Sequence, residues 1–67
     1  MKHYEIENHL GGYIIHQTGE EVPGKWGLYL TGTGKNGYKW GFDYTYAKEM
    51  TLKTAKKHLA ILEATND

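Results

Sequence analysis

The stretch LYLTGTGKNGYKW (residues 28–40) decides how this chain folds, and its centre, GTGKNG (32–37), matches the GxGxxG pattern of phosphate-cradling loops. The dinucleotide fingerprint needs a helix after the glycines, so that the helix N-terminus meets the pyrophosphate. Here the alternating run YKWGFDYTY follows instead, which is the pattern of a strand. The Walker pattern needs Gly-Lys-Ser/Thr, and this chain has Gly-Lys-Asn. A kinase-type glycine loop is a hairpin, but the helix, catalytic loop and metal-binding aspartate that it serves have no room in the sequence that remains. The glycines therefore read as the turn of a β-hairpin.

Pairing the two arms requires a register, and the apolar pattern selects one. A two-residue Asn36-Gly37 turn sets Leu30 opposite Asp43 and Leu28 opposite Thr45. A three-residue loop, Lys35-Asn36-Gly37, sets Leu30 opposite Phe42, Leu28 opposite Tyr44 and Trp26 opposite Tyr46. It also puts the left-handed position on Gly37, where no side chain opposes it. Gly32 then faces Trp40 and leaves room for the indole. On this reading Tyr38, Trp40, Phe42, Tyr44 and Tyr46 share one face of a long fourth strand.

Working outward, HYEIE (3–7) alternates, GGYIIHQ (11–17) follows a Gly-Gly break, and KWGLYLTG (25–32) alternates again. After residue 50 the period changes. Leu52, Ala55, Leu59 and Leu62 are spaced three, four and three apart, one stripe of an α-helix. Thr51 is its N-cap, Met50 and Ala55 occupy the positions of a hydrophobic staple, and fraying is expected after Ala64. Leu59, in mid-stripe, is the expected centre of the helix contact. The reading is an α+β fold in which residues 1–67 form a single domain: a small antiparallel four-stranded sheet (ββββα) with one C-terminal helix packed on one face.

Composition narrows the function classes. A chain of 67 residues buries only roughly 60% of its unfolded surface, so its core is thin. There is no cysteine, which removes disulfides and thiolate zinc sites and fits a reducing cytoplasm. No apolar run approaches the ~18 residues of a membrane span, and the N-terminal stretch lacks the apolar core of a signal peptide. Eight basic side chains balance eight acidic ones. Zero net charge argues against a binder that lives by neutralising phosphates, and leaves self-association into a homodimer unopposed. Six tyrosines, two tryptophans and one phenylalanine are a heavy aromatic load for a small domain.

For catalysis the chain offers no cysteine, serine or arginine, and no spacing sets a nucleophile beside its base. Asp43, within the fourth strand, is expected to point outward beside Tyr29. No enzyme and no cofactor are expected. The four histidines, His3, His9, His16 and His58, are not spaced to converge on a metal, although His3 and His16 are placed to meet across the first hairpin. Lys53, Lys56 and Lys57 read as a solvated helix face, or else as a docking patch for phosphate or an acidic partner. One short helix is too small to cover all the aromatic side chains of the sheet. Trp26, Trp40, Tyr44 and Tyr46, at the ends of the sheet, are therefore the expected partner-binding residues, of types common among interface anchors.

The glycine-turned hairpin, the aromatic strand and the helix opening MTLKTAKKHLAIL (50–62) resemble two groups. One is the small proteins encoded by phages and prophages of Gram-positive bacteria, some of which block host defence systems. The other, more weakly, is the arm-type DNA-binding domain of phage tyrosine integrases, a three-stranded sheet backed by a helix. The first resemblance implies a non-catalytic module that binds a host protein in the host cytoplasm, as an inhibitor of an enzyme or defence complex. The second implies an accessory protein that binds DNA through the open sheet face (Tyr29, Thr31, Thr33, Lys39, Asp43 and Thr45) together with Lys53, Lys56 and Lys57. That face carries one lysine and one aspartate, where the integrase domain meets the major groove.

Overall fold

Tyr4 and Ile6 alternate with acidic neighbours, and Ile15 and Gln17 alternate with His16 and Thr18, so two strands present matching faces. In the computed structural model, which describes residues 2–34 and 37–65, they pair as β1 (Lys2–His9) and β2 (Gly12–Gly19). The turn between them is Leu10-Gly11, both at positive φ (49° and 87°), as a two-residue hairpin turn of matching twist requires. β3 (Leu28–Gly34) and β4 (Gly37–Gly41) follow, then a 3-10 turn (Tyr44–Tyr46) and the helix α1 (Leu52–Thr65). The sheet is antiparallel in the order β1-β2-β3-β4, and α1 lies against β1 and β2. This is the α+β, ββββα architecture that the periodicities imply.

The register of the β3–β4 hairpin differs from the expected one. Gly34 pairs with Gly37, Thr33 with Tyr38 and Gly32 with Lys39; beyond a bulge between Leu30 and Gly32, Leu30 pairs with Trp40 and Tyr29 with Gly41. Leu30 thus lies opposite Trp40 rather than Phe42, and Gly32 faces Lys39 rather than Trp40. Gly37 does have positive φ (110°), but as the first residue of β4. Lys35 and Asn36, the rest of the expected loop, lie outside the described residues. One unbroken ladder as far as Tyr46 is what the three-residue loop would supply. The bulge supplies the extra residue instead, Thr31 Oγ1 donates to the Lys39 carbonyl (3.2 Å), and added twist comes with it. Tyr4 of β1 and Trp40 of β4, on the two edge strands, come within 5.8 Å between ring centroids.

The fourth strand also ends early. Beyond Gly41 the aromatic alternation continues in the sequence but not in the sheet, because the Asp43 side chain accepts from the Thr45 backbone N–H (2.9 Å) and closes a local turn. Aspartate commonly bonds backbone two residues on, and here that option wins over the ladder. Leu28 and Tyr44, and Trp26 and Tyr46, are therefore not strand pairs. The Lys48 N–H then donates to the Leu30 carbonyl (2.8 Å), and Met50 exchanges two bonds with Tyr13 (2.9 Å each). β2 and β3 share only two paired positions, His16 with Tyr29 and Gln17 with Leu28, and residues 48–50 connect the two strands beyond them.

The core is Tyr4, Ile15, Leu30, Met50, Ala55 and Leu62, with Ile6, Tyr13, Tyr38, Trp40 and Leu59 packed around it. Thr51 caps α1 through its hydroxyl, which accepts from the Thr54 N–H (3.2 Å), and the staple residues Met50 and Ala55 are both buried. Leu59 is not the most buried helical side chain: Ala55 and Leu62 are buried while Leu59 is half-buried. At about 100° per residue, Ala55 and Leu62 point nearly the same way, Leu52 and Leu59 lie to one side and His58 to the other. The small Ala55 lets the helix settle along that line, and His58 Nδ1 reaches the Tyr38 hydroxyl (3.0 Å). The helix continues through Thr65, one residue past the expected fraying point. Among the described residues no helix is long and apolar enough to cross a membrane.

Candidate functional site

Two glycines shape the loop before β3. Gly27 (φ 80°) passes so close to β2 that a Cβ there would stand 2.2 Å from the Gln17 carbonyl oxygen. Gly24 (φ 91°) lies under the Phe42 ring, where a Cβ would be 2.8 Å from a ring carbon. The loop is thereby pressed onto the sheet, with Val22 buried beneath it and Trp26 thrown outward. Across from it, the Asp43–Thr45 turn brings Phe42 and Tyr44 back over the face that carries Tyr29. Trp26, Tyr29, Phe42, Asp43 and Tyr44 line the resulting cleft, of about 390 Å³. This is the face opposite α1, since His16 and Tyr29 alternate with the core residues Ile15 and Leu30 and the buried Gln17.

Two histidines brace the cleft from behind. His16 stacks on Tyr29 (centroids 4.4 Å apart, planes 6° apart). Its Nδ1 bonds the Glu7 carboxylate at 2.8 Å, and its Nε2 bonds the Trp26 carbonyl oxygen. With both nitrogens engaged, His16 is a strut between β1 and the Trp26 loop. His9 meets Tyr44 edge-on (5.3 Å, 84°) while its Nδ1 bonds Glu49 (3.0 Å). Tyr44 in turn leans on Tyr29 at 6.2 Å.

The site's two perturbed groups follow from these contacts. The Asp43 carboxyl is held below the usual aspartate range by the hydrogen bonds it receives at Thr45. The Tyr29 phenol is pushed up, first by desolvation and then by the nearby Glu7 and Tyr44. At neutral pH the cleft therefore presents the Asp43 carboxylate and the neutral Tyr29 phenol, set among ring faces.

Trp26, Tyr44 and Tyr46, three of the four residues expected to bind a partner, are well exposed at 69%, 54% and 74%. The fourth, Trp40, is half-buried against the core, on the side that α1 covers. Trp26 and Tyr44 meet in the cleft, and Tyr46 stands outside its lining. Phe42, expected opposite Leu30, is instead 64% exposed and forms a cleft wall. Asp43 does line the cleft with Tyr29, but its hydrogen bond goes to Thr45. The sequence signal for these two was the Asp-x-Thr spacing, which favours a turn as much as a strand.

The residues of the nucleic-acid alternative do not share one surface. Tyr29 and Thr31 are half-buried, and Lys39 is exposed opposite Gly32. Lys53, Lys56 and Lys57 are exposed on α1, on the other side of the sheet. Asp43 and Thr45 have left the sheet for the 3-10 turn. The histidines are likewise dispersed. His3 pairs with Thr18 and Glu5 with His16 along the hairpin, so His3 and His16 are not opposite each other. His3 bonds Glu5 (3.1 Å), and no group of three or more metal-ligating side chains gathers among the described residues. The chain matches no family model, no curated protein and no solved structure.

Proposed function

We propose that this domain is a non-catalytic protein-binding module that docks through Trp26, Phe42, Tyr44 and Tyr46. The observation that carries the reading is their exposure: four large aromatic side chains face solvent beside a cleft, in a chain of zero net charge. Scattered exposed apolar residues are ordinary, but a cluster of exposed aromatic side chains is what hot spots are made of. The groups turned toward the cleft are one carboxylate and two phenols, and the histidines behind it are already bonded, which suits binding better than group transfer. In its most concrete form the partner is a host protein and the domain a phage-borne inhibitor of a host enzyme or defence complex, acting in the host cytoplasm.

The test is capture from a Gram-positive lysate with the wild-type protein and with Trp26→Ala, Tyr44→Ala and Tyr46→Ala as baits. A partner retained by the wild type and weakened by at least one substitution, by about 2 kcal/mol or more, is the expected result. Capture indifferent to all three substitutions overturns the reading. So does duplex DNA binding that falls steeply with salt and depends on Lys39, Lys53, Lys56 and Lys57.

A further inference from the structure

We propose that the cleft between Trp26 and Tyr44 receives an arginine side chain of the partner protein, with Asp43 paired to its guanidinium; this rests on the protein-binding reading above. The walls of the cleft are Trp26, Tyr29, Phe42 and Tyr44, and aromatic ring faces carry partial negative charge that attracts cations. The remaining lining residue is Asp43, whose carboxyl stays ionised at neutral pH. One of its oxygens accepts the Thr45 N–H, and an ionised carboxylate has acceptor sites to spare. A neutral apolar occupant would desolvate Asp43 without a partner, and an anion would meet a carboxylate. A cation satisfies the rings and the carboxylate together.

The flatness of the walls chooses among cations. A guanidinium is planar and weakly hydrated, stacks on aromatic faces and forks onto carboxylates, whereas a lysine ammonium is compact and strongly hydrated. The chain's own Lys25 already places its ammonium 5.3 Å from the Trp26 ring centroid, and Lys25 does not line the cleft. Composition then decides the source of the arginine. All eight basic residues here are lysines, so a second copy of this chain has no arginine to offer. The occupant belongs to a different protein. Because the His16 and His9 contacts hold Tyr29, Tyr44 and the Trp26 main chain in place, the walls stand ready before the arginine arrives.

The experiment is an NMR titration of the intact protein with the acetylated amides of arginine, of its uncharged isostere citrulline, and of lysine and trimethyl-lysine. The two tryptophans give separate indole N–H signals, Trp26 in the cleft and Trp40 on the opposite face as an internal control. Expected are saturable shifts of Trp26, and not Trp40, with the arginine amide. Citrulline should bind about fivefold more weakly or worse, lysine more weakly than arginine, and Asp43→Asn should abolish the arginine–citrulline difference. Asparagine also accepts from Thr45 through its amide oxygen, so the turn is kept in that variant, as a Trp26 signal unchanged in the free protein would verify. Equal binding of arginine and citrulline, tighter binding of either lysine form, or an Asp43→Asn variant that binds like wild type overturns the proposal. Any of these alongside lysate capture that still depends on Trp26 and Tyr46 removes the arginine and leaves the docking surface intact.

Discussion

Gly27 and Gly11 both have positive φ, yet they answer to different constraints. At Gly11 nothing lies within 4 Å of where a Cβ would be, so an alanine meets only the left-handed backbone cost, about 1–2 kcal/mol. At Gly27 the same cost applies and the Cβ is driven into the Gln17 carbonyl. Gly27→Ala should therefore destabilise by clearly more than Gly11→Ala, by about 3 kcal/mol or more in urea unfolding, and should release the Trp26 loop. Equal losses would mean that the loop is not pressed onto β2. Asp43 carries a pH signature. Its folded-state pKa lies below its unfolded one, so its contribution is present above the ordinary aspartate range and is lost as pH falls through the folded value. The acid limb of a stability–pH profile should be shallower in Asp43→Asn than in wild type, with the two converging at low pH once the wild-type carboxyl is protonated. Gly37 was legible from sequence as a left-handed position. The pressure on Gly27 was not, because it comes from a strand ten residues away.

At the scale of elements, what repeats within a segment was readable and what depends on neighbours was not. Four strands, one helix and the Thr51 cap follow from alternation, a 3.6-residue stripe and a hydroxyl in the right place. The β3–β4 register failed because a bulge is one residue of freedom that alternation does not report, and residues 42–46 failed because Asp43 competes for the backbone. The helix was placed correctly but rotated. Its stripe is wide enough to allow several facings, and the chosen one sets Ala55 and Leu62 on the sheet and brings His58 to Tyr38. Truncation energies should follow that facing. Leu62→Ala is expected to cost about 2–4 kcal/mol in chemical denaturation and Leu59→Ala distinctly less, since the half-buried side chain leaves a smaller void. The reverse order would show α1 docked along its geometric mid-stripe after all.

Taken whole, the molecule divides its aromatic side chains between two tasks on two faces of one sheet. Tyr4, Tyr13, Tyr38 and Trp40 pack with or around the core on the α1 side, where a thin domain needs bulk. Trp26, Tyr29, Phe42 and Tyr44 line the cleft on the other side. The sequence announced the surplus but not the division, because Trp26, Trp40, Tyr44 and Tyr46 looked alike along one extended strand pair. The division can be tested on the two tryptophans. Trp40→Ala removes an indole packed against the core and should cost about 2–3 kcal/mol, discounted from a full burial because the ring is only half covered. In a domain whose total stability is of the order of 5 kcal/mol, that lowers the thermal midpoint sharply. Trp26→Ala should leave the midpoint within a few degrees of wild type, its ring being 69% exposed, while weakening capture of the partner. Circular dichroism melts and lysate capture on the same two variants therefore give opposite rankings. If Trp26→Ala melts as early as Trp40→Ala, the indole is a structural part of the loop, and the case for the cleft as a docking surface falls with it.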